Sequence, residues 1–240
     1  MTKLSVLMAC KNLNAQCSQS IQSILNQGVD LELIITVDGG ENTLKVDDPR
    51  VQIHKFSVNR GMPVATNNCY KYATGEYITV HDDDDWSESG RFDLCLGQIG
   101  EDRAITSYIY AYKNNAPIEK KFHTDKIYYP GLKIKPPAHH CATMIKKDLW
   151  DEIGSYNERY MCSDSIRMIK LAIYTNLKKE RFAVIEKPLY HYITRPRSLS
   201  KHPNWGNETR QTREKFFEEY ENLMKMTPEQ FLSWCDKNKL

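Results

Sequence analysis

The chain has 240 residues, of which 40% are hydrophobic and 27% charged, with a formal net charge of +2 at neutral pH. Such a length and balance suit one sizeable globular domain, and the near-zero charge gives no support to nucleic-acid or anionic-membrane binding. No apolar run approaches the roughly 20 residues needed to cross a bilayer, and the first residues read as a strand, not as a signal peptide.

Leu4–Cys10 is a near-continuous apolar run of strand length. Cys17, Ile21, Ile24 and Leu25 then recur at helical spacing, and Gly28 falls where a left-handed helix cap is expected. Leu31–Val37 predicts a second buried strand, ending at the turn signal Asp38-Gly39-Gly40. Val51–Phe56 predicts a third strand. Pro63 suits the first turn of a helix on which Ala65, Cys69, Tyr72 and Ala73 share one face, and Gly75 stops it. Glu76–His81 predicts a fourth strand, which runs into Asp82-Asp83-Asp84-Asp85. Strands alternating with helices imply an α/β fold with a doubly wound, parallel sheet. Ligands bind beyond the carboxyl ends of the strands in such sheets. Asp38, Asn59-Arg60-Gly61 and the aspartate run all fall at such ends, and therefore near one rim.

The second half is less regular. Phe92, Cys95, Leu96 and Ile99 predict a helix. Ala104–Tyr112 predicts a strand with Tyr108, Tyr110 and Tyr112 on one side, placed either to stack on a ligand's rings or to pack across strands. Residues 114–137 read as hairpins and loops, and His140–Ile145 as a strand leading into a short helix that stops at Gly154. Ser163 suits the N-cap of a helix carrying Ile166, Ile169 and Ile173. Phe182–Ile185 predicts a short strand. Residues 186–207, with their prolines, arginines and Trp205, read as a long functional loop. Thr227-Pro228-Glu229-Gln230 has the form of a capping box, with Met226 and Phe231 placed as a hydrophobic staple. Seven scattered cysteines with no Cys-x-x-Cys spacing argue against a zinc ribbon or disulfide scaffold. They suit a reducing, cytoplasmic compartment.

Four consecutive aspartates repel one another unless something offsets the charge. A hard divalent cation does so, because it takes carboxylate oxygens. Magnesium and manganese use one or two carboxylates and leave the remaining positions to water and substrate phosphates. The other reading is a solvated acidic turn that caps the next helix.

The segment Gly75-Glu-Tyr-Ile-Thr-Val-His-Asp-Asp-Asp-Asp85 resembles the surroundings of the Asp-x-Asp motif in family 2 glycosyltransferases. Ser5-Val-Leu-Met-Ala-Cys-Lys-Asn12 resembles that family's first strand and loop, Ser20–Gln27 its first helix, and Leu31–Gly40 its second strand and turn. Asn59-Arg60-Gly61 and Ala65-Thr66-Asn67 resemble two further landmarks. The resemblance implies a GT-A fold: a Rossmann-like, mixed but mainly parallel sheet flanked by helices. A catalytic domain over residues 1–205 is expected, with a nucleotide-binding half at 1–86 and an acceptor half at 87–205. A helical appendage is expected at 206–240.

The resemblance also implies roles. Asp84 would bind Mn2+ or Mg2+, and Asp82 the ribose or the metal's water shell. Asp38, Asn59, Asn67 and Asp83 would join them around a nucleotide-diphosphate sugar, with uridine the expected base. One departure is Gly40, where the family's turn has serine. Ile153-Gly154-Ser-Tyr-Asn-Glu158 resembles a later family turn, and Asp164 sits where the family has its general base. An acceptor hydroxyl needs such a base as it attacks the anomeric carbon, and inversion places that base opposite the diphosphate, as in an inverting glycosidase. Thr194-Arg-Pro-Arg-Ser-Leu-Ser200 resembles the family's late loop, in which Arg195 and Arg197 could grip the diphosphate and His191 or His202 complete the metal shell. His139, His140 and Trp86 are candidate acceptor contacts, with ordinary structural roles as the alternative for the two histidines.

The expected activity is therefore metal-dependent, inverting glycosyl transfer to a hydroxyl, on a glycan first and on a protein or modified nucleic-acid base as the alternative. A reading of another class is an inactive nucleotide-sugar-binding module. A nucleotidyltransferase would want a glycine-rich basic loop where this chain has Ala9-Cys-Lys-Asn-Leu-Asn14, and no Gly-x-Gly-x-x-Gly or P-loop is present.

Overall fold

The computed structural model describes residues 4–113, 116–122, 137–194 and 202–240. In chain order these form β1 (Leu4–Cys10), α1 (Ser18–Leu25), β2 (Leu31–Asp38), β3 (Val51–Phe56), α2 (Met62–Tyr70), β4 (Tyr77–Val80), β5 (Trp86–Ser87) and α3 (Arg91–Ile99). There follow β6 (Ala104–Lys113), β7 (Ala116–Lys120), β8 (Thr143–Lys146), α4 (Lys147–Ile153), α5 (Ser163–Leu177), β9 (Phe182–Tyr192), α6 (Pro203–Glu218), α7 (Tyr220–Leu223) and α8 (Pro228–Lys237).

The described strands make one mixed sheet in the order β3-β2-β1-β4-β8-β6-β9-β5, with β7 paired to β6 off that path. β3, β2, β1 and β4 run parallel to one another. β8 enters antiparallel between β4 and β6, and β9 returns parallel to β6. The N-terminal half thus has the expected parallel, doubly wound form, and antiparallel pairing begins at β8.

Strand alternation divides the core into two layers. Val6, Met8, Leu33 and Ile35 face α1 and α3, where Ile21, Ile24, Phe92 and Cys95 are buried. Leu7, Ile34, Ile78 and Val80 face the other way, into a larger cluster with Cys69, Leu149, Trp150, Ile166 and Ile169. Both faces of the first strands are covered, so β2 is buried at every residue and reads as a continuous apolar run.

The C-terminal helices belong to that larger cluster. Phe216, Leu223, Phe231 and Cys235 are fully buried within it. The expected boundary at residue 205 falls inside α6, and these helices do not stand apart as an appendage. The capping box at Thr227 is formed, with Gln230 reaching back to the Thr227 N–H at 2.9 Å. No helix among the described residues is long and apolar enough to cross a membrane, and all seven cysteines are free and buried.

Five local expectations change. Ser163 is the first residue of α5, and Cys162 holds the N-cap position with no side-chain cap bond. Gly28 is absent from the glycines at positive φ, and α1 ends at Asn26 with ordinary backbone angles. Tyr72 lies beyond α2 and stacks on His54 with ring centroids 3.7 Å apart, instead of sharing the buried face. His140–Ala142 is a 3-10 turn, so the strand begins only at Thr143. β9 continues to Tyr192, through part of the expected loop, because a register shift opposite Ser107 and Tyr108 accommodates Pro188.

Candidate active site

The carboxyl ends of β1, β2 and β4 open into a cleft of about 770 Å³. Asp38, Asn59, Asp82, Asp83, Asp84, His139, His140 and Asp164 all line it. At the β2 end, the Arg60 and Gly61 backbone N–H groups donate to the two Asp38 carboxylate oxygens at 2.7 and 2.8 Å. The Asn59 side chain donates to the Asp38 carbonyl at 3.2 Å. The β2 turn and the loop before α2 therefore hold one another. Glycines permit the close approach: a Cβ on Gly39 would lie 2.1 Å from the Asn59 nitrogen, and one on Gly40 would lie 2.0 Å from the Lys11 carbonyl oxygen. That contact explains why the serine of the family turn is absent here.

The four aspartates divide. Asp85 is buried and points away from the cleft, accepting from the Tyr190 hydroxyl at 2.8 Å and the Ile193 N–H at 2.7 Å. Asp82, Asp83 and Asp84 face the cleft. Burial, with Cys17, Asp84 and Asp82 nearby, pushes the Asp83 carboxyl up to about 8. Behind the run, His81 is fully buried between the Asp82 carbonyl at 2.8 Å and the Ser87 hydroxyl at 3.1 Å. Burial and the Arg91 charge lower its pKa to about 3, so it is neutral at physiological pH.

Arg91 is itself buried at 1% exposure and forms no ion pair among the described residues. Its guanidinium donates to Ser87, Thr79 and the Cys141 carbonyl, and lies 4.9 Å from the Tyr190 ring centroid. It therefore ties the His139–Ala142 segment to β4 and the acidic tip.

On the opposite wall, Asp164 opens α5, and its Oδ1 is enclosed with no hydrogen-bond partner. Burial raises its pKa, while the neighbouring His140 and the Ser165 N–H pull it back down. A poorly solvated carboxylate in a cleft suits proton abstraction. His140 Nε2 lies 3.9 Å from Asp82 Oδ2, which brings the two walls together. Burial holds the His139 imidazole well below its usual range.

The acidic tip fits a hard cation. Its donors are carboxylates, and burial first, then the charges nearby with Asp84 and Asp82 among them, already push Asp83 upward. Among the described residues, the group of three possible ligands within 4.8 Å of one another is His139, His140 and Cys141. Burial holds the Cys141 thiol far above its usual range, which disfavours a thiolate ligand. The aspartates would supply part of a shell, and phosphates and water the rest.

Other expected residues sit elsewhere. Asn67 accepts from the Tyr156 N–H at 2.9 Å and donates to the Tyr156 carbonyl at 2.9 Å and Glu158 at 3.0 Å. Its amide staples α2 to the turn after Gly154 and does not line the cleft. Both ring nitrogens of His191 are engaged, Nδ1 with the Tyr112 hydroxyl at 2.8 Å and Nε2 with Glu88 at 2.6 Å. Trp86 stacks on that imidazole at 4.6 Å, and Tyr110 and Tyr112 pack around it. These rings form a packed cluster outside the cleft. His202 caps α6 through the Asn204 N–H. Arg195 and Arg197 lie outside the described residues.

Lys11, Lys120, Tyr192, Trp205 and Arg213 line the cleft as well. Trp205 falls in the expected functional loop. Arg213 gives no local signal, because it sits among exposed polar residues on α6.

A mixed α/β sheet with an acidic tip at a switch of strand order defines the site of a nucleotide-sugar transferase fold. The chain belongs to Glycosyl transferase family 2, whose model matches residues 5–154. It is 24% identical over 233 residues to the minor teichoic acid biosynthesis protein GgaB of Bacillus subtilis (strain 168), covering 85% of this chain and 25% of GgaB. The S. aureus TarS 1–349 structure in complex with UDP-GlcNAc superimposes with a TM-score of 0.63 at 14% identity, covering 83% of this chain and 61% of that one. The mannosyltransferase PcManGT from Pyrobaculum calidifontis, in complex with GDP-Man and Mn2+, gives 0.56 at 13% identity, covering 82% and 58%. The chain thus spans a quarter of GgaB and about three fifths of each structural relative.

Proposed function

We propose that this chain transfers a glycosyl group from a nucleoside-diphosphate sugar, with UDP the expected nucleotide, to a glycan hydroxyl with inversion at the anomeric carbon. The observation that carries the reading is the shared cleft: Asp82, Asp83 and Asp84 on one wall, Asp164 on the other and Asp38 at the β2 end.

Asp164 would take the proton from the acceptor hydroxyl as the O–H bond breaks. The acceptor oxygen then bonds to the anomeric carbon. The bond from that carbon to the diphosphate oxygen breaks, and its electron pair leaves with the nucleoside diphosphate. Asp84 and Asp82 would hold Mn2+ or Mg2+, which supplies positive charge to the leaving diphosphate. Asp38, whose carboxylate is fixed by two backbone N–H groups, and Asn59 would contact the nucleoside. His139 and His140 would line the acceptor side. The UDP-GlcNAc and GDP-Man complexes of the structural relatives support a nucleotide-sugar donor, and the Mn2+ in the second supports the metal. The free, buried cysteines suit a reducing, cytoplasmic setting.

A thermal-shift panel of nucleotide sugars with manganese tests this reading. One uridine donor should raise the melting temperature, since a ligand that binds only the folded chain stabilises it. No shift with any donor, with metal present, would refute it.

A further inference from the structure

Asp38, Asp82, Asp83 and Asp84 line the cleft at the β2 and β4 ends, with Lys11 beside Asp83 and Asp84. The same cleft is lined by Arg213, next to Asp164, and by Lys120, Trp205, Tyr192 and Phe122. Arg213 comes from α6 and donates through Nη2 to the Ser165 hydroxyl at 3.0 Å, one residue along α5 from Asp164. Its Nε is enclosed without a partner, and among the described residues no carboxylate forms an ion pair with it. The Asp164 carboxylate nearby offsets part of its charge, and among the described residues the guanidinium keeps donors free for a further acceptor. Lys120 projects from β7 beside the Tyr192 ring, 5.9 Å from its centroid, and its charge acts on His139.

An anion entering this cleft meets repulsion from the acidic tip and Asp164. Two cations on the acceptor side offset that repulsion and fix the direction of entry. The aromatic side chains beside them offer apolar faces for a sugar or polyol.

We infer that the acceptor carries an oxyanion, phosphate or carboxylate, which Arg213 and Lys120 bind while Asp164 faces the attacked hydroxyl. This rests on the glycosyltransferase reading and names the acceptor class for the same cleft. Arg213 suits the task because its planar guanidinium can meet two oxyanion oxygens while Ser165 anchors it.

The test uses the full chain loaded with UDP and Mn2+, titrated with glucose, glucose 6-phosphate and glucuronate by calorimetry. The inference predicts that at least one charged probe binds roughly tenfold or more tightly than glucose, the worth of one charge-assisted hydrogen bond. Preference for glucose 6-phosphate would assign phosphate, and preference for glucuronate would assign carboxylate. Arg213→Gln should remove the preference and Arg213→Lys should restore part of it. Lys120→Ala, at an exposed position that leaves the fold intact, should reduce it too. Equal binding of charged and neutral probes, or a preference that survives both Arg213→Gln and Lys120→Ala, would overturn the inference. Failure of UDP itself to bind in the loading step would overturn the transferase reading, and the inference with it.

Discussion

The Tyr190 hydroxyl donates to Asp85 Oδ2 at 2.8 Å, and the Tyr190 phenol oxygen accepts the Asp82 backbone N–H at 3.2 Å. One buried phenol thus holds both ends of the aspartate run and sets which acids face the cleft. Tyr190→Phe should lower stability by about 1–3 kcal/mol, because the buried Asp85 oxygen loses its partner. It should also weaken metal-dependent donor binding. Urea unfolding and a UDP titration with manganese check the two effects.

Asp164→Asn keeps the shape and removes the proposed base. Turnover should fall by a factor of order 10²–10⁴, with donor affinity nearly unchanged. Single-turnover transfer measured beside equilibrium donor binding separates the two. A small fall in turnover would assign proton abstraction to another group.

The C-terminal helices share the main core through fully buried side chains. Phe231→Ala should therefore cost about 3–5 kcal/mol, read as a lower denaturation midpoint in one cooperative transition. A truly separate appendage would instead melt in its own transition and leave the main one unmoved.

Arg103 gathers Glu152 at 2.8 Å and Glu180 at 2.7 Å, linking the start of β6 to α4 and the segment before β9. Its charge lowers the Glu152 pKa from 4.5 to about 2. A depressed carboxyl pKa contributes stability that is present above the unfolded value and lost as pH falls through the folded one. Stability should therefore decline between about pH 4.5 and 2 in part through this pair. Arg103→Gln should flatten that part of the acid limb, which melting temperature against pH would show.

β1, β2 and β4 were legible because both their faces are buried, which leaves largely apolar runs such as Leu31–Val37, whereas β3 is only partly buried. The rim placement of Asp38 and the aspartate run followed from topology alone. β5 was not legible: two residues, Trp86 and Ser87, carry no period, and only pairing with Tyr190 and His191 makes them a strand. The length of β9 was hidden by Glu186, Lys187 and Pro188, which break its apolar pattern at the register shift. His191 and Asn67 looked like site residues by type and position, but their polar atoms are consumed within the protein. Arg213 reaches the cleft only because α6 docks on α5, and no local pattern encodes that contact.

Calorimetric titration of UDP into the wild-type chain and Asp84→Ala, each with manganese and then with EDTA, tests the acidic tip most directly. Binding by the wild type that requires manganese, and its loss in Asp84→Ala, is the predicted result. Equal UDP affinity in all four titrations would contradict a metal-bridged donor at Asp82–Asp84.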